Sequence, residues 1–216
     1  MNKNSEPKHS LDPVSGFLNR NAGMETAGRL LAESKDRNDL LVAFWVDIDR
    51  FRQINDSFGH AGGDSVIGHI AERIRTCVRE DCSFLRVGSD EFVILMPVLE
   101  ALGIEQIASW ILLEIEEPLL IDGILIHPSA SIGIAWSRAD DDPGGLLERA
   151  DRAMIDAKQQ GGNRFVVSGN EAAPGRLGAK LAREELAIES ALHLALENGG
   201  LELHYQPIIR PDGRIE

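Results

Sequence analysis

The run LLVAFWVDID, residues 40–49, decides the fold class of this 216-residue chain. Its apolar part is continuous, which is typical of a central strand covered on both faces of a sheet. The run ends in two carboxylates, Asp47 and Asp49. The sequence therefore predicts a covered sheet with acidic side chains where this strand leaves the core.

Helical and strand patterns alternate around this strand. Apolar spacing predicts helices over about residues 24–35, 64–78, 104–116 and 145–160. Short apolar runs predict strands over 84–87, 91–96 and 164–167, and a hairpin around Asp122-Gly123 followed by another strand. Gly88-Ser89 predicts a type II′ turn between the first two of these strands. We therefore expect an α+β fold with a central, mostly antiparallel sheet flanked by helices.

The two ends of the chain have a different composition. Residues 1–10 are polar and are predicted to form a disordered tail. Residues 169–180 are small, polar and rich in Gly and Pro, which predicts a linker. Beyond it, residues 181–197 predict an amphipathic helix, and LELHYQPII predicts a strand. A C-terminal helix–strand fragment should therefore follow the main domain.

Composition limits the classes of partner. The net charge of -13 argues against a nucleic-acid binder, which needs clustered Lys and Arg. It does not argue against a nucleotide, because a divalent cation offsets phosphate charge. No signal-peptide pattern is present, nor any apolar stretch of about 18 residues that would span a membrane. With only two cysteines, the chain is predicted to be soluble and cytoplasmic.

Two acidic pairs fall at neighbouring strand ends. Asp47 and Asp49 follow the central strand, and Asp90 and Glu91 follow the predicted turn. Such carboxylates can hold Mg²⁺, and the stretch GHAGGD, at a predicted helix start, can accept an anion through its N–H groups. Each feature taken alone is better explained by surface carboxylates and ordinary turn glycines.

Four ordered motifs together resemble the GGDEF-domain family over residues 11–168. They are DPVSGFLNR (Asp12–Arg20), VDIDRFRQINDSFGHAGGD (Val46–Asp64), RVGSDEFVIL (Arg86–Leu95) and ERADRAMIDAKQQGGN (Glu148–Asn163). The resemblance implies a diguanylate cyclase that condenses two GTP into cyclic-di-GMP and pyrophosphate. Because each domain would hold one GTP, it also implies a homodimer.

The resemblance also implies roles for single residues. Mg²⁺ (or Mn²⁺) would be held by Asp47, the carbonyl of Ile48 and Asp90. Catalysis would use Asp90 and Glu91, and the substrate would be bound by Asn55 and Asp64 at the guanine edge, by Lys158 and Arg52 at the phosphates, and by Gly88 and Ser89 of the signature.

Three positions depart from the family pattern. Ser89 replaces the second signature glycine, and Gly162 replaces an arginine, for which Arg164 is one candidate substitute. At the product-inhibition motif RxxD, Arg79 is present but Cys82 replaces the aspartate, so we expect weakened or absent feedback inhibition through this site. Ser89 and Gly162 leave open an alternative function, a catalytically silent GTP-binding module that regulates a downstream domain.

Residues 181–216 resemble the start of an EAL-type phosphodiesterase domain, most distinctively in Tyr205-Gln206-Pro207. The metal-binding carboxylates of that family lie beyond the last residue of this sequence. We therefore expect no EAL-type hydrolysis of cyclic-di-GMP by these 216 residues.

Overall fold

The computed structural model describes residues 10–99 and 103–169. The predicted linker after Gly169, the C-terminal helix and strand, and the predicted tail before Ser10 lie outside the described residues. The elements, in chain order, are β1 (Leu18–Asn19), α1 (Arg20–Arg37), β2 (Leu40–Ile48), α2 (Phe51–Cys77), β3 (Ser83–Arg86), β4 (Glu91–Val98), α3 (Ile104–Glu116), β5 (Leu119–Ile121), β6 (Ile124–Ile126), β7 (Ala130–Trp136), α4 (Pro143–Gln159) and β8 (Arg164–Val167).

The main sheet has six strands in the order β1-β3-β4-β2-β7-β8. The three inner pairings, β3 with β4, β4 with β2 and β2 with β7, are antiparallel. The outer strands β1 and β8 pair in parallel with β3 and β7. The sheet is therefore mixed with an antiparallel centre, and the α+β prediction is confirmed.

Helices cover both faces of β2, as its continuous apolar run predicts. Val42, Phe44 and Val46 belong to a core cluster that includes buried residues of α2 and α3. Leu41 and Ala43 belong to a second cluster that includes buried residues of α1 and α4. This alternation follows from the two-residue period of a strand. Strand β2 is therefore packed on both faces, and this packing fixes the position of its carboxyl end.

Helix α2 begins at Phe51, well before the predicted start near residue 64. The backbone leaves the helical region at Gly59 (φ 70°, ψ 176°), so two helical segments meet there. Sequence reasoning missed the first segment because Phe51 is its only buried residue. The glycines of GHAGGD also differ from expectation. Gly62 and Gly63 are buried in the second segment, where an added Cβ would clash with Phe58 and Asn55.

The hairpin between β3 and β4 is confirmed, but the predicted type II′ turn is wrong. Four residues, 87–90, connect the strands, and Gly88 does not have the positive φ that this turn requires. The β5–β6 hairpin does turn at Asp122 and Gly123, both with positive φ (49° and 80°). In the part of the chain that the structure describes, no helix has the length and apolar character needed to cross a membrane.

Candidate active site

The predicted metal-binding and catalytic residues meet where β2 ends. Asp47 is 5% exposed and is paired in register with Glu91, the first residue of β4. The backbone N–H of Ile48 donates to the carbonyl oxygen of Asp90 at 3.1 Å. The central strand and the signature loop are therefore joined by backbone hydrogen bonds, and their carboxylates share one edge of the sheet.

Asp47 is a buried carboxylate in an acidic neighbourhood. Burial raises its pKa to about 6, and the negative charges of Asp90 and Glu91 act in the same direction. Lys158 of α4 opposes this shift, with its Nζ 2.6 Å from Asp47 Oδ1. The lysine charge does not fully offset the cost of burying the carboxylate, so this edge favours further positive charge.

This donor set fits a Mg²⁺ ion that is completed by other ligands. The described residues contain no group of three or more His, Cys, Asp or Glu side chains placed to hold a metal. Mg²⁺ does not need such a group, because it usually binds one or two carboxylates together with waters and substrate phosphates. Asp47 and Asp90 meet that requirement.

Asp49, the carboxylate that directly follows β2, is held by hydrogen bonds within the fold. Its Oδ2 accepts hydrogen bonds from Ser129 Oγ at 2.9 Å and from the backbone N–H of Asn163 at 3.0 Å. Its Oδ1 accepts from Ser131 Oγ at 2.8 Å. Asp49 therefore ties the end of β2 to β7 and to the turn between α4 and β8, and its oxygens face protein donors.

Arg86 stabilises the signature loop through hydrogen bonds to the backbone of that loop. Its Nη2 donates to the carbonyl oxygen of Ser89 at 2.6 Å, and its Nε donates to that of Gly88 at 3.2 Å. Its Nη1 is 3.0 Å from Asp12 Oδ1. Although burial opposes it, hydrogen bonding by Ser15 and Arg86 lowers the pKa of Asp12. The first motif thus supports the loop of the third, a link that sequence reasoning missed.

Gly88 and Ser89, the two signature positions before Asp90, make different contacts. An added Cβ at Gly88 would lie 2.2 Å from Glu91 Oε2, so glycine is needed there to leave room for that carboxylate. Ser89 is exposed, and its hydroxyl donates to Asp90 Oδ1 at 2.5 Å. The serine therefore leaves the hairpin intact and adds an internal hydrogen bond to a predicted metal ligand.

The predicted guanine-binding residues lie together across the bend of α2. Asn55 Oδ1 lies directly over Gly63, because a Cβ at that glycine would be 2.0 Å away. Asp64, the next residue in the chain, is exposed. The structure therefore brings Asn55 close to Asp64. Arg52 is exposed and has only a loose contact with Asp56, 3.9 Å from Nε to Oδ2.

A cleft of about 500 Å³ lies beside Lys158. It is bordered by the start of α2, the β6–β7 connection and the α4–β8 turn, and Arg52 is not among its lining residues. Arg50 lines it, a residue at a motif position with no assigned role, so no sequence signal marked it. The lining residues are Asp49, Arg50, Glu116, His127, Pro128, Ser129, Lys158, Gly161, Gly162 and Asn163.

Comparisons with known proteins give a family match over most of the chain. The family described as diguanylate cyclase, GGDEF domain, matches residues 9–164. The chain is 35% identical over 184 residues to the diguanylate cyclase TpbB of Pseudomonas aeruginosa, covering 83% of this chain and 41% of TpbB. It is 32% identical over 205 residues to the cyclic di-GMP phosphodiesterase PdeR of Escherichia coli, covering 94% of this chain and 30% of PdeR.

The solved GGDEF domain of TpbB from Pseudomonas aeruginosa has the same fold. It superposes with a TM-score of 0.70 at 34% identity, covering 74% of this chain and 94% of that structure. The chain spans less than half the length of the two curated relatives.

Proposed function

Since the chain belongs to the diguanylate cyclase GGDEF-domain family, we propose that it condenses two GTP molecules into cyclic-di-GMP and pyrophosphate with Mg²⁺ (or Mn²⁺). The observation that carries this proposal is the meeting of Asp47, Asp90 and Glu91 at one sheet edge, with Lys158 against Asp47. The likeness to TpbB, which is named a diguanylate cyclase, supports it.

In this proposal the metal would be held by Asp47, the carbonyl of Ile48 and Asp90. When bound, Mg²⁺ supplies positive charge that stabilises the phosphoryl group and the departing pyrophosphate. Lys158, now paired with Asp47, would face the phosphates once a bound cation balanced part of the charge of that carboxylate. Arg52 is a second proposed phosphate contact, although it does not line the cleft.

Base recognition is assigned to Asn55 and Asp64. An amide and a carboxylate suit guanine, since the amide N–H group donates to O6 and the carboxylate accepts from N1 and N2. Their proximity across the bend at Gly59 supports this role. Adenine presents the opposite pattern at these positions, so this pair selects guanine.

The reaction joins two nucleotides in two equivalent steps. The 3′-oxygen of one GTP attacks the α-phosphorus of the other, and the bond from that phosphorus to the bridging oxygen of pyrophosphate breaks. In this proposal Asp90, with Glu91 beside it, takes up the 3′-hydroxyl proton. Because each domain holds one GTP, both steps require a homodimer, and cyclic-di-GMP is the product that the paired sites release.

A second function is favoured by a specific observation. Ser89 donates to Asp90 Oδ1, so one oxygen of a proposed metal ligand already has a hydrogen-bond partner within the protein. PdeR, named a phosphodiesterase, matches 94% of the chain, including residues beyond the GGDEF domain. The alternative is therefore a catalytically silent GTP-binding module that regulates an EAL-type phosphodiesterase domain following it.

Incubation of the purified chain with GTP and Mg²⁺, followed by chromatography of the nucleotides, distinguishes the two. The cyclase predicts cyclic-di-GMP from the native chain and none from Asp90→Ala. Binding of GTP by calorimetry without any product would reject the cyclase and support the silent module. Absence of both binding and product would reject both.

A further inference from the structure

The cleft beside the site contains a cation to which the family motifs give no role. Two of its lining residues are Arg or Lys, namely Arg50 and Lys158. Lys158 Nζ is 2.6 Å from Asp47 Oδ1. Arg50 is exposed and has no carboxylate partner among residues 10–99 and 103–169. The cleft therefore has one cation engaged by the fold and one available to a ligand.

Arg50 has an unusual backbone for a residue without a partner. It is the N-cap of α2 with φ 57° and ψ 25°, and its side chain makes no capping hydrogen bond. The left-handed region is unfavourable for a non-glycine residue, and Asn, Asp or Ser is preferred at an N-cap. The arginine contributes neither packing nor a cap here, and such a residue at a functional cleft suggests a role toward a ligand.

Another part of the cleft lining, the α4–β8 turn, lacks the arginine of the family pattern. Gly162 stands there with φ 73°, and an added Cβ would lie 3.1 Å from Asp49 Oδ2. Arg164, considered above as a substitute, donates from Nε to the carbonyl oxygen of Gly162 at 3.3 Å and does not line the cleft. The charge lost at position 162 is therefore not replaced from β8.

We propose that Arg50 binds the β- and γ-phosphates of GTP. It would supply, from the start of α2, the positive charge that the family pattern supplies with an arginine at the position of Gly162 in the α4–β8 turn. This inference rests on the proposed GTP-binding function. Arginine suits the task, because its planar guanidinium forms paired charge-assisted hydrogen bonds with phosphate oxygens.

The carboxylates of the cleft do not compete for Arg50. Both oxygens of Asp49 accept hydrogen bonds from Ser129, Ser131 and Asn163. Glu116 Oε1 accepts from Asn163 Nδ2 at 2.7 Å. Asp49 and Glu116 therefore stabilise the α4–β8 turn. The guanidinium N–H groups of Arg50 can then donate to a bound anion.

Calorimetry with two nucleotides tests the inference. The probes are the α,β-methylene analogue of GTP, which cannot be cleaved at that bridge, and GMP, each with Mg²⁺. Arg50→Ala should weaken binding of the analogue by about five- to tenfold, in line with loss of a partly exposed charge-assisted contact. Its GMP affinity should change by less than about twofold, since GMP lacks the β- and γ-phosphates. Arg50→Lys should be intermediate.

Two matched arginine variants serve as controls. Arg29→Ala removes one charge from α1, and Arg164→Ala tests the rival residue; neither should change the affinity for the analogue. An Arg50→Ala variant that binds the analogue as tightly as the native chain, or that loses GMP affinity equally, would overturn the inference and leave the proposed function standing. If the native chain binds neither probe, both fail. If affinity depends on Arg50 but GTP is never converted, only the cyclase proposal fails.

Discussion

The buried carboxylate of Asp47 lowers the stability of the folded chain when it is ionised. Burial raises its pKa from 3.8 to about 6 in the folded chain, so the ionised form costs folding free energy. Below about pH 4 the carboxyl is protonated in both the folded and the unfolded states, and there is no penalty. Between about pH 4 and 6 the unfolded chain loses its proton first, so the penalty grows, and above about pH 6 it is complete.

We therefore predict that Asp47→Asn increases the free energy of unfolding at pH 8 by about 2 kcal/mol, while removing Mg²⁺-dependent GTP binding. At pH 4 the two proteins should have nearly equal stability. Urea unfolding at both pH values measures this difference, with the exposed Asp56→Asn as the control that should change little. Equal or lower stability of Asp47→Asn at pH 8 would show that the ion pair with Lys158 outweighs burial.

Gly88 is required because it leaves space for a neighbouring side chain, and not because of its backbone conformation. An added methyl group would overlap Glu91 Oε2 and displace that carboxylate. Gly88→Ala should therefore reduce product formation at least about tenfold, with a melting temperature within a few degrees of the native value.

Gly123→Ala is the matched opposite of that variant. Gly123 has φ 80°, and nothing lies within 4 Å of an added Cβ. It should lose about 1 kcal/mol of stability through backbone strain and keep its activity. A Gly88→Ala variant that unfolds at a much lower temperature, or that remains fully active, would contradict the prediction for Gly88.

Among the elements, the turn between α4 and β8 depends on Asp49. Its carboxylate accepts from Ser129, Ser131 and the backbone of Asn163, and so joins three elements that border the cleft. Asp49→Ala leaves these donors unpaired, and we expect it to lower the free energy of unfolding by about 2–3 kcal/mol. Denaturant unfolding checks this, and exposed Asp36→Ala should change stability by less than about 0.5 kcal/mol. A mild effect of Asp49→Ala would mean that water replaces the carboxylate.

The sequence predicted elements well where burial sets a clear period. The apolar runs located β2 and β8, and the bounds of α3 were predicted to the residue. The first segment of α2 was missed because a helix lying on the surface with one buried side chain has no apolar stripe. The II′ turn was wrong because a Gly-Ser pair does not reveal that glycine is kept there for the Glu91 carboxylate.

The sequence identified some of the site residues and missed others. The family motifs pointed to Asp47, Asp90 and Lys158, and the fold brings them to one region. The acidic pair by itself, without the family motif, could not separate Asp47 from Asp49, because the difference depends on hydrogen bonds to β7 and to the α4–β8 turn, far away in the chain. Nor could the motifs identify Arg50, whose importance depends on a left-handed backbone and on the loss of charge at Gly162.

For the molecule as a whole, the residues at the product-inhibition motif position lie on a surface region away from the sheet edge that carries Asp47 and Asp90. The RxxD motif falls on residues 79–82, where Cys82 is 8% exposed and burial raises its thiol pKa to about 11. The thiol is therefore neutral at pH 7 and cannot replace an aspartate. Arg79 donates to both oxygens of Asp81, at 3.1 and 3.0 Å, and to the carbonyl oxygen of Pro97 at 2.7 Å.

We accordingly predict no saturable inhibition by cyclic-di-GMP at low concentration through this surface. Because Arg79 already has its partners and no carboxylate follows at position 82, added product should inhibit only where it competes with GTP, and Arg79→Ala should behave as the native chain does. Product titration at two GTP concentrations measures this for both proteins. Inhibition that persists at high GTP and disappears in Arg79→Ala would show that Arg79 leaves Asp81 to bind product, and that the cysteine does not disable the motif.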